Sequence, residues 1–211
     1  PDAGADITAT TIDLNAGTGI GAAGQLEITG AALTIDSATG NVDVDNIATA
    51  ATTVTTLTTG TGSIRFDQTG GQTLAVTTAT TTDGAITITN DGGTLTATTV
   101  TAGGTGRNIT LTTTTSGDVF IGLADATGDT VMVTAVGAIE EAGADAGADI
   151  VAATIDLNAG TGIGAAGTLE IRGTASTLSA DTTTGAIDID SLAVAAMTAT
   201  SLTTGAGNIT F

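Results

Sequence analysis

A spacing of about 22 residues between paired apolar positions constrains this chain more than any other feature. The pairs have the form apolar–x–apolar and follow one another at steps of 22, 22, 23 and 22 residues. Alternation places both members of a pair on the same side of a β-strand. Glycine precedes several pairs by two residues, which predicts a turn before each strand. The pairs are Val42/Val44, Ile64/Phe66, Ile86/Ile88, Ile109/Leu111 and Val131/Val133, with Ile187/Ile189 and Ile209/Phe211 later in the chain.

A second set of apolar positions recurs at a similar spacing and out of phase with the first. Each period therefore contains at least two strands joined by turns, which is the size of one coil of a parallel β-helix. The sequence predicts an all-β fold, a parallel β-helix or β-solenoid with ~22-residue coils. Some nine coils, each rising about 4.8 Å, would give a rod about 45 Å long. The second set is Leu33, Val54, Leu74, Leu95, Val119 and Ile139.

A longer repeat lies over the short one. Residues 5–28 return as residues 148–171 at an offset of 143, with 21 of 24 positions identical, and later segments return at an offset of 145. We interpret residues 1–211 as one continuous solenoid, with a first copy at 2–144 and a partial second copy at 145–211. The phrase GTGIGAAG occurs in both copies, where the pair steps lengthen to 30 and 32 residues, so we expect it to form an inserted loop.

Charge and composition exclude several functional classes. The chain has 22 acidic residues, three arginines and a net charge of −19, which disfavours nucleic acid and anionic membranes as partners. It contains no run of apolar residues long enough to span a bilayer as a helix. Without histidine, lysine or cysteine it cannot form a Ser-His-Asp triad, a thiolate nucleophile, a Schiff base or a histidine zinc site. We therefore expect no enzyme and no required cofactor.

Carboxylate pairs are the remaining catalytic device, as in glycosidases. Asp43 and Asp45 alternate with buried positions along one strand, as do Asp188 and Asp190, so all four are expected on the outer face as solvated acids. Arg65 lies 22 residues after Asp43 and should stack beside it on the next coil.

One acidic cluster is a candidate calcium site. Glu140, Glu141, Asp145 and Asp149 place four carboxylates within ten residues, between flexible alanines and glycines. Calcium prefers oxygen ligands of this kind, although the spacing does not match an EF-hand loop. Asp2 and Asp6 repeat part of the cluster. The alternative interpretation is a solvated loop without an ion.

Threonine ladders raise a separate hypothesis, because regular Thr-x-Thr arrays on a flat solenoid face can order water. Thr87/Thr89 and Thr110/Thr112 stack on successive coils. The same column then carries Asp43, Arg65 and Met132 on other coils, and this charged, irregular column argues against an ice-binding face there.

The Gly-x-[Ile/Val]-x-[Ile/Val/Phe] strands, the ~22-residue coils, and phrases such as TIDLNAGTGIG and TTGAIDID resemble those of large repetitive bacterial surface proteins. These are the filamentous-haemagglutinin-like and autotransporter-like β-helices. The resemblance covers essentially the whole chain and implies a right-handed β-helix that is secreted or displayed on the cell surface.

The resemblance predicts a structural module of a long extracellular rod or fibre, with an adhesin stalk or adhesive face as the alternative. Other copies of the chain, or neighbouring repeats of a longer protein, are the expected partners, together with divalent cations.

Overall fold

The structure, a computed structural model, describes residues 4–21, 23–173, 176–192 and 195–211. These residues form twenty-one β-strands and no helix. Because Thr, Val and Ile favour extended backbone and glycine favours the turns between strands, the local preferences agree with this outcome. The strands are β1 (Ile7–Thr8), β2 (Thr11–Ala16), β3 (Leu26–Thr29), β4 (Ala32–Thr39), β5 (Val42–Ile47), β6 (Thr52–Thr61), β7 (Ile64–Thr69), β8 (Leu74–Asp83), β9 (Ile86–Asp91), β10 (Leu95–Ala102), β11 (Ile109–Thr114), β12 (Val119–Ile121), β13 (Ala124–Ala135), β14 (Ala138–Glu141), β15 (Ile150–Ala159), β16 (Gly162–Ile163), β17 (Leu169–Arg172), β18 (Thr177–Thr182), β19 (Ile187–Ser191), β20 (Thr198–Thr204) and β21 (Ile209–Thr210).

Every strand pairing among the described residues is parallel and joins segments about one coil apart. The chain therefore winds into a β-solenoid of about nine turns with ~22-residue coils, which confirms the predicted fold. Each coil hydrogen-bonds to the coils before and after it through the backbone, as expected for a quasi-one-dimensional repeat protein.

One side of the solenoid, called face A here, is the stack of β5, β7, β9 and β11. It continues through the later part of β13 and through β15, β18 and β20. The predicted apolar column is confirmed on this face, because its members pair directly from coil to coil. The registered residues are Val42, Ile64, Ile86, Ile109 and Val131.

The other side, called face B, is the stack of β2, β4, β6, β8 and β10, and its longer strands bend near their middle. The predicted second column was wrong by two residues. Val54 pairs with Val76, whereas Leu74 pairs with Thr52. The prediction joined two neighbouring inward positions of one strand, since a small or polar residue occupies the inward position on some coils. The true columns are Leu33, Val54, Val76, Ala97 and Ile121, and beside it Thr52, Leu74, Leu95, Val119 and Ile139.

The interior is a continuous cluster of aliphatic side chains, with Phe66 the largest fully buried one. A ladder of amide side chains runs through this core. Asn46, Gln68 and Asn90 are all 0% exposed. Nδ2 of Asn46 donates to Oε1 of Gln68 at 3.1 Å, and Nε2 of Gln68 donates to Oδ1 of Asn90 at 3.1 Å. The buried amides therefore satisfy one another from coil to coil.

Glycines form the corner where one coil lies closest to the next. A Cβ on Gly62 would lie 2.4 Å from the carbonyl oxygen of Gly40, and a Cβ on Gly84 would lie 1.7 Å from the carbonyl oxygen of Gly62. Gly62 also has a φ of 136°, which side chains rarely adopt. The spacing of these glycines ahead of the apolar pairs thus reflects close backbone contact.

The inserted loop is shorter than the sequence predicted. Ile20, inside the GTGIGAAG phrase, forms a parallel bridge with Val42, 22 residues later, and so completes an ordinary coil. Leu26 pairs with Val44, so the insertion reduces to residues 21–25, with the equivalent residues 164–168 in the second copy. The long steps of 30 and 32 residues arose because Ile12 belongs to face B and was compared with face A.

The two copies of the long repeat lie on opposite sides of the solenoid. In the first copy the TIDL segment is on face B, where Ile12 pairs with Leu33. In the second copy the same segment is on face A, where Ile155 pairs with Val131. An offset of 143 residues at ~22 residues per coil corresponds to about six and a half coils, so equivalent segments are half a turn apart.

Candidate functional site

The candidate site is a group of three carboxylates contributed by adjacent coils. Glu141 ends β14, Asp149 precedes β15, and Glu170 lies in β17. One carboxylate oxygen from each lies within 4.8 Å of the others. Asp149 is 2% exposed, and its Oδ2 accepts a hydrogen bond from the backbone N–H of Glu170 at 2.8 Å. We call this group the acidic triad.

The electrostatics of the acidic triad are unfavourable for three bare anions. Burial raises the pKa of Asp149 to about 7, and repulsion from Glu141 and Glu170 acts in the same direction. Oε2 of Glu170 is a buried oxygen without a hydrogen-bond donor. At neutral pH the site therefore favours a bound proton or a cation over full ionisation.

The sequence predicted Glu140, Glu141, Asp145 and Asp149 as ligands, and the structure brings only Glu141 and Asp149 together. The carboxylate of Glu140 instead accepts the backbone N–H of Ala166, in the second insertion, at 2.9 Å. Burial also raises the pKa of Glu140.

Asp145 is exposed, and its backbone N–H donates to Oε1 of Glu141 at 2.6 Å. That contact ties the loop at 143–147 back to the acidic triad. In the first copy, Asp2 lies outside the described residues. Asp6 repeats the position of Asp149, because its Oδ2 accepts the backbone N–H of Glu27 at 3.4 Å.

Glu170 was missed by a search confined to one short segment. It follows Asp149 by 21 residues, about one coil, and Glu27 follows Asp6 by the same interval. Adding the coil period to each acidic residue would have placed Glu170 beside the cluster. In a solenoid, neighbours in space are found one period away in sequence.

The acidic triad has the ligand chemistry of a calcium site. Calcium binds six to eight oxygens at about 2.3–2.6 Å, so two oxygens bound to the same ion lie up to about 5 Å apart. The separations within 4.8 Å meet this limit. Three carboxylates supply part of the coordination shell, and water or the carbonyls of the adjacent loop would complete it.

The other predicted acidic residues lie on the outside of the solenoid, between buried apolar neighbours. Arg65 pairs with Asp43 in register on the next coil, which confirms their predicted stacking. The guanidinium of Arg65 lies 3.7 Å from Oδ1 of Asp43 and 2.5 Å from Oδ2 of Asp67. Exposed pairs of this kind contribute about 0–1 kcal/mol each, so they adjust the surface more than they hold the fold.

No family model, curated protein or solved structure matches the chain in the three comparisons made with known proteins. Within the part of the chain that the structure describes, no helix is long and apolar enough to cross a membrane.

Proposed function

We propose that the chain is a structural module of a long extracellular β-helical rod or fibre, such as a surface filament, sheath or matrix protein. The observation that carries the proposal is the unbroken parallel stacking over about nine coils. Backbone hydrogen bonds along the axis and a continuous aliphatic core resist bending and extension. The function is therefore mechanical, and the number of repeats sets the length.

Display outside a bacterial cell is part of the same proposal. The resemblance of the strand and turn phrases to those of repetitive surface proteins supports it. The net charge of −19 keeps rods soluble and attracts divalent cations from the medium. The proposed partners are other copies of the chain or neighbouring repeats of a longer one, with cations between the acidic surfaces.

Electron microscopy of the purified protein, with and without EDTA, tests the mechanical role. Long filaments of uniform width with an axial repeat of about 4.8 Å are expected. Their dispersal by EDTA would show that cations hold rods together. Short rods that stay separate under both conditions would contradict the fibre.

We propose calcium as the cation that binds the acidic triad. Calcium should raise the melting temperature of the wild-type chain at neutral pH, because it neutralises buried repulsion in the folded state only. Asp149→Asn and Glu170→Gln should each lose this shift. Asp13→Asn, at an exposed position on the outside of β2, is the matched control and should keep it. An equal calcium shift in all four proteins would place the ion elsewhere.

An adhesive face is the alternative function, and the exposed loop at 143–147 favours it. This loop and the two insertions interrupt an otherwise regular surface, as recognition loops on a rigid scaffold do. Replacement of residues 143–147 by a short glycine-serine link should abolish binding to cells or matrix if adhesion is the function. If binding is unchanged, the loop has no adhesive role.

A further inference from the structure

Three consecutive coils of face B present an outer surface made almost entirely of threonine. The outward positions of β6, β8 and β10 fall into four rows that run along the solenoid axis. Eleven of the twelve positions are threonine and one is alanine. We call this surface the threonine face. Its rows are Thr53, Ala75 and Thr96, then Thr55, Thr77 and Thr98, then Thr56, Thr78 and Thr99, and last Thr58, Thr80 and Thr101.

The backbone makes this array regular in two dimensions. Thr56 pairs with Thr78 and Thr78 pairs with Thr99, in parallel register and without a shift among the three strands. Equivalent hydroxyls on adjacent coils are therefore about 4.8 Å apart, and outward residues two apart along a strand are about 6.8 Å apart. Because threonine is β-branched, few side-chain rotamers are available and neighbours adopt similar ones. The face is thus a grid of methyl and hydroxyl groups.

The threonine face also lacks charge, although the chain carries a net charge of −19. Asp36 and Asp125 appear only at its edges, on the coils before and after it. The hydroxyl of Thr58 donates to Asp36 at that boundary. Face A differs, since its Thr87/Thr89 and Thr110/Thr112 coils are bordered by Arg65 and by Met132. The regular array therefore lies on the side opposite the one considered from the sequence.

Protein and sugar partners fit this surface poorly. Its outline of about 15 Å by 20 Å, taken from the strand dimensions, gives roughly 300 Å², well below the ~800 Å² per partner of a stable protein interface. Removing so many hydroxyls from water without equivalent hydrogen bonds would cost free energy. The chain has no tryptophan or tyrosine on which a sugar ring could stack. A ligand that keeps every hydroxyl hydrogen-bonded is required.

We propose that the threonine face binds ice. A crystal of water keeps the hydroxyls hydrogen-bonded, repeats its oxygens at spacings similar to those of the grid, and carries no charge. The threonine methyl groups fill the spaces between ordered waters, while the rigid coil stacking holds the grid in place before the surface is met. This role is independent of cations, because none of the twelve side chains is ionisable.

The test measures thermal hysteresis and inhibition of ice recrystallisation by the 211-residue chain. Wild type should show both activities, and EDTA should not change them. Thr78→Lys, at the centre of the threonine face, should lose both because a long charged side chain disrupts the grid. Thr110→Lys is the matched control, a mid-strand outward threonine of β11 on face A, and should keep them. Circular dichroism of each variant verifies that the solenoid is intact.

Three outcomes would overturn the proposal. Wild type could show neither activity, the two lysine variants could lose activity equally, or EDTA could abolish it. A fourth result identifies a different occupant. If sedimentation shows wild-type chains associating through a contact that Thr78→Lys removes, the threonine face is a rod-to-rod interface and does not bind ice.

Discussion

At the scale of single residues, the buried amides specify how the coils stack. An aliphatic core tolerates sliding, whereas Gln68 bonds to Asn46 below and Asn90 above only when the three are aligned. A slip of one residue would turn all three outward and expose apolar neighbours in exchange for them, since strand side chains alternate. The amide ladder therefore contributes register as well as hydrogen bonds.

Replacing Gln68 with methionine should lower the free energy of unfolding by about 2–3 kcal/mol. The substitution keeps the volume but leaves buried polar atoms of Asn46 and Asn90 without partners, and unmade buried hydrogen bonds cost about 1–3 kcal/mol each. Urea denaturation measures the change. Gln72→Met, in the adjacent turn where Gln72 is half-buried, is the control and should change stability by less than about 1 kcal/mol. Equal losses would show that the ladder has no special role.

At the scale of elements, the acidic triad joins the end of β14, the start of β15 and the middle of β17. Its repulsion opposes the stacking of these coils unless a proton or cation is bound. Below the pKa of Asp149 in the folded state, the folded chain holds a proton that the unfolded chain releases near pH 4. The triad therefore makes the stability of this region depend on pH.

In the presence of EDTA, the free energy of unfolding should fall as the pH rises from about 4 to about 7 and then level off. The folded-state pKa of Asp149 is raised to about 7 by burial, so the folded state binds more protons than the unfolded state within this window. Raised pKa values of Asp45 and Glu140, again caused mainly by burial, act in the same direction. Asp149→Asn should give a flatter profile in thermal denaturation, while Asp13→Asn should follow wild type. A full slope in Asp149→Asn would assign the dependence to other groups.

The sequence predicted face A in full and face B only in part, for a physical reason. On face A most inward positions hold large apolar residues, so hydrophobicity alone reveals the register. On face B the inward position is Thr52 on one coil and Ala79 on another, and the strands bend. Hydrophobicity then selects the wrong neighbour. Glu170 and the threonine face were missed similarly, because both depend on stacking between coils that only the correct register reveals.

At the scale of the whole molecule, the half-turn between the two copies is the main result that sequence comparison did not provide. Near-identical insertions emerge from face A at residues 21–25 and from face B at residues 164–168. Sequence identity alone suggested that the copies were equivalent. The register shows that they are related by an axial translation combined with a half-turn.

Paired spin labels should detect this half-turn directly. The chain has no cysteine, so Ala23→Cys can be combined with Ala166→Cys or with Ser179→Cys without background labelling. Ser179 lies on face A, the side of Ala23, and slightly further along the axis than Ala166. We expect the longer distance for the 23–166 pair, because the width of the rod adds to an axial separation of about 31 Å. A shorter 23–166 distance would place both insertions on one side.

The six-and-a-half-coil repeat gives the module a parity. A rod built from an even number of such repeats presents its first and last copies on the same side, and a rod with an odd number presents them on opposite sides. Gain or loss of one repeat would change the rod's length by about 31 Å and also reverse the direction in which its far end faces. Length and orientation are therefore inherited together, and only changes by pairs of repeats alter one without the other.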